Sequence, residues 1–228
     1  MIKLLNSLYL TEKGCCIKNR KFYPVHLRQG EIDGACSIYT LMMNLLILRC
    51  VRRNELEDLY DKIKKSPEVV KLFHEFFDKH GLVRNGLYFD KLKKMINRSF
   101  GDTVCAEYYN CDKEEAKDGF KNQIKSVLDK DMPIILGIDF KKGGGHAVLA
   151  IGYESDDEGL FHIFCLDPGY NCYPTSYWNM VIALDIYRGK YPHQCLTDNP
   201  YNCPAIQITE TIVVERLRKP PAAPPISS

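Results

Sequence analysis

Long apolar runs are missing from this chain: no stretch approaches the ~18 residues of a membrane-spanning helix. The opening stretch MIKLLNSLYLTEKG is too briefly apolar for a secretory signal and has no small-residue cleavage site, so a cytoplasmic protein is expected. Excess charge is missing too. With 31 Lys and Arg against 29 Asp and Glu, the net charge is only +2, and no long-range pull toward nucleic acid or an anionic membrane results. Neither is an expected partner. Basic groups such as Arg49, Arg52 and Arg53, or Lys91, Lys93 and Lys94, fall within helical patterns and read as solvated faces. There is no internal repeat. Cysteine is plentiful, with ten in 228 residues, but no C-x-x-C pair occurs. Apart from the adjacent Cys15 and Cys16, the nearest spacings are Cys105/Cys111, Cys165/Cys172 and Cys195/Cys203. Reduced thiols in a reducing compartment are expected, with Cys50 and Cys165 as small buried hydrophobes inside apolar runs. A structural zinc site is the alternative.

What is present is enough for one good core, at 45% hydrophobic and 26% charged residues. A single domain over residues 1–218 is expected, followed by a proline-rich tail, KPPAAPPISS (219–228), that reads as disordered. Apolar residues fill nearly every position from Ile38 to Leu48, the pattern of a buried central helix. Asn54 with Glu57 resembles a capping box, after which Leu56, Leu59, Tyr60 and Ile63 mark a helix face. Ser66-Pro67-Glu68 starts another helix that should stop near Gly81, with Val69, Leu72, Phe73, Phe76 and Phe77 inward. Further helices are expected over Tyr88 to Ile96 and Lys113 to Asp131. The second half changes to short bounded apolar runs, 133–140, 146–153 and 160–166, the mark of buried strands, with more expected at 178–187 and 205–214. Helices first and strands later predict an α+β fold: a helical lobe on a mostly antiparallel sheet.

Four residues in these elements could carry chemistry together. Cys36 opens the apolar helix, whose N-terminal partial charge favours a thiolate. His146 opens a strand, where it could take the role of base and acid to that thiol. Asp167 ends the next strand and could fix the orientation of the imidazole. Gln29 is an amide upstream that, with the Cys36 backbone N–H, could stabilise an oxyanion. Gly34 and Ala35 keep bulk away from the sulfur, and Gly143, Gly144 and Gly145 would let a bound chain pass close by, or serve as a hinge. Each alone has a duller reading: a buried cysteine, a strand-edge histidine, a turn at Asp167-Pro168-Gly169, a loop glutamine. The functional reading rests on their joint occurrence and order. His26, His162 and His193 read as structural or surface residues.

These residues resemble the papain-like cysteine peptidase superfamily. Asp33-Gly34-Ala35-Cys36-Ser37 lies along the signature C-G-[SA]-C-[WY], and HAVLAIGY (146–153) is very like the superfamily's H-A-V-x-x-x-G-Y. Asp167-Pro168 after the histidine strand looks like the bacteriocin-processing, double-glycine-type branch. The resemblance implies a papain-like α+β fold with Cys36 as nucleophile, His146 as general base and acid, Asp167 as orienter and Gln29 as oxyanion donor. Gly34, Gly144 and Gly145 would border the substrate. There are departures. Asp33 replaces a disulfide cysteine, Ser37 replaces an aromatic, and Gln29 lies seven residues before Cys36, one more than in papain. The expected reaction is hydrolysis of a peptide or isopeptide bond in a protein or peptide substrate through an acyl-thioester, with no metal or cofactor. The same groups would serve a glutamine deamidase, transglutaminase or acyltransferase. A non-catalytic or zinc-stabilised binding module is the reading from another class. Nothing in the sequence speaks to oligomeric state.

Overall fold

The computed structural model describes residues 1–30, 34–57, 65–79, 86–111, 119–199 and 201–217. The hydropathy pattern assigns no element before Cys36, yet four short strands form there: β1 (Ile2–Leu4), β2 (Leu8–Thr11), β3 (Gly14–Asn19) and β4 (Lys21–Pro24). They are too short to show a period of two, and their turns use left-handed backbone at Arg20 (φ 48°) and Gly14 (φ 86°). β2, β3 and β4 make a separate antiparallel sheet.

The apolar run forms α1 (Cys36–Ile47), with Leu41, Met43, Leu45 and Leu46 fully buried. Its buried polar groups are paired across the core. Thr40 Oγ1 donates to the Ala147 carbonyl at 3.0 Å, and Asn44 Nδ2 donates to Pro133 O at 3.3 Å. Leaving such a carbonyl unpaired would cost about 1–3 kcal/mol, so both bonds fix how the helix sits on the sheet.

α2 (Arg53–Glu57) begins two residues earlier than the Asn54/Glu57 pattern suggests. The N-terminal box instead uses Glu55, whose Oε2 accepts from Arg52 N at 2.7 Å and whose Oε1 accepts from Ser66 N at 2.8 Å. Leu59, Tyr60 and Ile63 lie outside the described residues, as do Gly81, Lys113 and the tail. α3 (Pro67–Phe73) starts as expected, capped by Ser66 Oγ, which accepts from Val69 N at 3.4 Å. It then loosens into a π-helical turn, His74–Lys79. α4 (Phe89–Phe100) runs a turn beyond the expected end, and Asn97 clips it to β5 (Val104–Asn110), a strand that was not anticipated. The Asn97 amide accepts from Ala106 N at 2.8 Å and donates to Ala106 O at 3.0 Å.

After α5 (Gly119–Asp129) the chain is strands: β6 (Ile134–Phe140), β7 (Gly145–Ser155), β8 (Leu160–Leu166), β9 (Met180–Ala183), β10 (His193–Leu196) and β11 (Ala205–Arg216). The strand expected at 178–187 is shorter because the backbone turns left-handed at Asp185 (φ 56°). Every pairing in the sheet is antiparallel. The order β7-β6-β11-β10-β9-β8 closes on itself through a β7–β8 pairing, while β1 and β5 attach at its margins. α1 packs on β7 and β6, and one apolar core runs through helices and sheet. This is the mixed α+β arrangement, with helices against an antiparallel sheet.

Candidate active site

Ala35, the N-cap of α1, has no side-chain acceptor to offer, so the first N–H groups of the helix stay available. One of them, Ser37 N–H, points at the Cys36 thiol, as does Ala147 N–H from β7. The packing of α1 on β7, fixed by Thr40, therefore places Cys36 beside the residue that precedes Ala147, which is His146. The Cys36 thiol and the His146 ring are hydrogen-bonded.

His146 Nε2 lies 2.6 Å from Asp167 Oδ1, which leaves Nδ1 for the sulfur. Phe140 stacks beside the imidazole, with 6.3 Å between centroids and 28° between ring planes. Asp167 is wholly buried, and its Oδ1 also accepts from Gly169 N at 2.6 Å. Burial lowers the His146 pKa, but the bonds and charges of Asp167 and Cys36 outweigh it and push it up to about 10. Burial raises the Cys36 thiol, and it is overcome by the bond and charge of His146 and then by the Ala147 and Ser37 N–H groups, so its pKa falls. Cys15, Cys50, Cys165, Cys172 and Cys195 are all pushed up, chiefly by burial, Cys50 and Cys172 to about 11 and Cys195 to about 12. Both shifts favour the thiolate–imidazolium form of the Cys36–His146 pair over the neutral one.

A cleft of about 390 Å³ opens beside this pair. Gly145 lines it. Gly144 (φ 89°) and Gly143 (φ 96°) form the tight β6–β7 turn, where Phe140 N donates to Gly144 O at 3.0 Å. Gly34 sits at the loop before α1, its carbonyl against Gly86 (φ 77°), another residue of the cleft. Gln29 is held by its backbone to the Asp167 loop, donating from N to Pro168 O at 2.8 Å, and its side-chain oxygen is buried.

Two supporting residues escape sequence reading. Asn179 Oδ1 accepts from Asp167 N at 2.7 Å, and its Nδ2 donates to Asp167 O at 2.8 Å and Tyr170 O at 3.0 Å. His26, read as structural or surface, lies under the same loop with Nε2 2.9 Å from the Asp167 carbonyl, and burial lowers its pKa. Neither stands in a recognisable motif; Asn179 follows Trp178, which stacks on Phe164 at 4.3 Å. His162 and His193 lie elsewhere, one against Glu154 and one buried beside Phe120. Among the described residues no disulfide joins the cysteines, and no group of three or more His, Cys, Asp or Glu side chains is placed to hold a metal.

A thiol at a helix start, paired with an imidazole at a strand start on an α+β frame, is the arrangement of cysteine-dependent hydrolases. The profile of the Peptidase_C39 like family matches residues 25–192, and the chain belongs to that family. Its fold is consistent with the papain-like superfamily, and membership supports a peptidase-type hydrolytic function. The match spans Gln29, Cys36, His146, Asp167 and Asn179 and ends just before β10. No curated protein matches the chain.

Proposed function

We propose that this protein is a cysteine peptidase that cleaves a peptide or isopeptide bond of a protein substrate through an acyl-thioester on Cys36. The observation that carries the reading is the chain of contacts at the start of α1, where the Cys36 thiol is hydrogen-bonded to His146 and His146 Nε2 lies 2.6 Å from the buried Asp167 Oδ1. The Cys36 thiolate attacks the substrate carbonyl carbon. The oxyanion takes hydrogen bonds from the Cys36 backbone N–H and the Gln29 side-chain amide. His146, protonated on both nitrogens and held by Asp167, gives its Nδ1 proton to the departing amine as the C–N bond breaks. It then takes a proton from the water that hydrolyses the thioester and frees Cys36. Gly34, Gly144 and Gly145 border the path of the substrate backbone. The Asp167-Pro168 pair supports a relation to the bacteriocin-processing branch, and the many thiols suit a reducing cytoplasm.

Iodoacetamide labelling followed by peptide mapping tests the nucleophile. Cys36 should react ahead of the other nine cysteines, and His146→Ala should abolish that lead. Equal rates would sink the reading. Measuring fragment formation and ammonia release on one peptide panel separates hydrolysis of a peptide bond from glutamine deamidation.

A further inference from the structure

Resting on the cysteine-peptidase reading, we propose that a hollow where β6, β11 and β10 end is an exosite for an acidic segment of the polypeptide substrate, with Lys141, Arg188 and Lys190 holding its carboxylates. The hollow encloses about 680 Å³ and is lined by these three cations with Tyr187, Tyr191 and Ala205. Of the described residues lining it none is Asp or Glu. Lys142, exposed and next in the chain, adds a fourth cation. Exposed cations on the helices meet carboxylates: Lys94 pairs with Asp90, Lys125 with Asp129 and Arg98 with Glu75. Asp185, the one acid in 185–192, is taken by Lys121, and Asp139 lines the cleft beside Cys36 instead. Lys141, Lys142, Arg188 and Lys190 pair with no carboxylate among the described residues. Like charges gathered around one hollow repel, and an entering carboxylate relieves that repulsion.

The backbone brings these residues together from two segments. Ala205, at the start of β11, pairs with Gln194 of β10, and its carbonyl accepts from Lys141 N at 3.0 Å. The 185–192 loop between β9 and β10 folds back on itself, Tyr187 N donating to Pro192 O at 2.9 Å, with left-handed backbone at Gly189 (φ 98°). Arg188 and Lys190 flank that glycine, and Lys190 Nζ lies over the Tyr191 ring at 5.4 Å from its centroid. The two tyrosines add phenol hydroxyls and ring surface for the methylene stem of a glutamate. The hollow also adjoins the reacting groups. Lys141 follows Phe140, whose ring stacks beside His146, and the turn from Lys141 to Gly144 leads into β7 and His146. A methyl group at Gly143 or Gly144 would meet no atom within 4 Å, so this turn stands open to a chain lying over it. Residues beside the cleaved bond do not enter the hollow, so small ones such as glycine are compatible with it. A nucleic acid or an anionic membrane calls for a broad basic face, which a net charge of +2 does not supply.

Peptidyl epoxysuccinates, which alkylate an active-site thiol and can be extended from it in either direction, test this without knowledge of the natural substrate. Matched probes end in three glutamates or three glutamines, carried on either side by Gly-Ser linkers of about four or eight residues, a reach of roughly 13 to 26 Å. On one side the glutamate probe should inactivate Cys36 roughly tenfold faster than its glutamine twin at low salt, and added salt should shrink that ratio. Arg188→Glu and Lys141→Glu should each bring the ratio to one or below. Lys13→Glu, the same charge change at the β2–β3 turn, should leave it standing. Because each ratio is taken within one preparation, a partly folded variant still reports. Fluorescence anisotropy of a fluorescein-labelled hexaglutamate peptide on Cys36→Ser gives a second arm that needs no catalysis. Binding should saturate, weaken in both groove variants, and yield to unlabelled peptide before a single-stranded oligonucleotide or inorganic phosphate at equal charge concentration. Preferential displacement by the oligonucleotide or by phosphate overturns the acidic-peptide assignment. A ratio near one on both sides, with Cys36 still labelled, overturns the exosite. Failure of every probe to modify Cys36 ahead of the exposed Cys105 overturns the peptidase reading itself.

Discussion

Asn179 grips Asp167 by both of its main-chain polar groups, receiving the amide N–H at 2.7 Å and donating to the carbonyl at 2.8 Å. The carboxylate hydrogen-bonded to His146 is therefore positioned by a side chain twelve residues further on, and its own Oδ1 is left for Nε2 of the imidazole and the Gly169 N–H. Replacing Asn179 with Ala strips one buried donor and one buried acceptor of partners, at about 1–3 kcal/mol. Turnover should fall roughly 10- to 100-fold with little change in KM, as suits a positioning residue. Thermal unfolding and steady-state kinetics measured together check both parts. A loss of stability with unaltered turnover would restrict Asn179 to folding.

Cys36 and His146 titrate as a pair. Below the lowered thiol pKa the thiolate is lost, and above about 10 the imidazolium is lost. Alkylation of Cys36 should therefore begin at lower pH than for an ordinary thiol, and peptide turnover should fall again near pH 10. In His146→Gln, burial acts on the thiol without that opposing charge, so the alkylation midpoint should move up. An unmoved midpoint would remove His146 from the role assigned to it.

Asp167→Asn keeps the shape of the acceptor and removes its charge. The His146 pKa should drop from about 10, because burial then opposes the imidazolium with less compensation. The alkaline limit of activity moves down with it, and kcat falls by roughly 10²- to 10⁴-fold through loss of the oriented tautomer. Linkage has the same sign. A histidine raised on folding contributes stability that is full below 6.5 and lost as the pH rises to about 10, so the variant should lose stability at neutral pH and converge with the parent above pH 10. Denaturant titrations at neutral and alkaline pH read this difference.

Gly152 is the glycine of the HAVLAIGY motif, and its reason is the passage of another strand. A methyl group there would press into the Lys3 carbonyl and the Leu4 side chain of β1, which pairs with β7 at this point. Gly152→Ala should cost about 1–3 kcal/mol, a Tm drop of roughly 3–10 °C for a chain of this size. Cys36 alkylation should stay fast, because the strain lies at the far end of β7. An unchanged Tm would show that β1 yields freely.

The parts of this protein that sequence alone makes legible share a cause. α1 is readable because it is apolar on all sides, and β6 to β8 because they are buried runs bounded by turn residues. α3 announces itself through Ser66-Pro67. By contrast, β1 to β5 are short or half-exposed, and the box at α2 involves Arg52, which no capping preference points to. Glu55 serves there because Ser66 N–H, eleven residues away, comes to its second oxygen.

The same division runs through the site. The sequence by itself determined which groups could react: one thiol at a helix start, one imidazole at a strand start, and one carboxylate after the next strand, each a matter of residue type and local backbone. Only the tertiary structure decided that they meet, because the distance from Cys36 to His146 is set by Thr40 holding α1 to β7 and not by the 110 residues of chain between them. It likewise decided that Asn179 and His26 support Asp167, and that Glu210 shares a cleft with Cys36. Those relations arise from strand pairing and close packing between distant segments, and no local pattern encodes them.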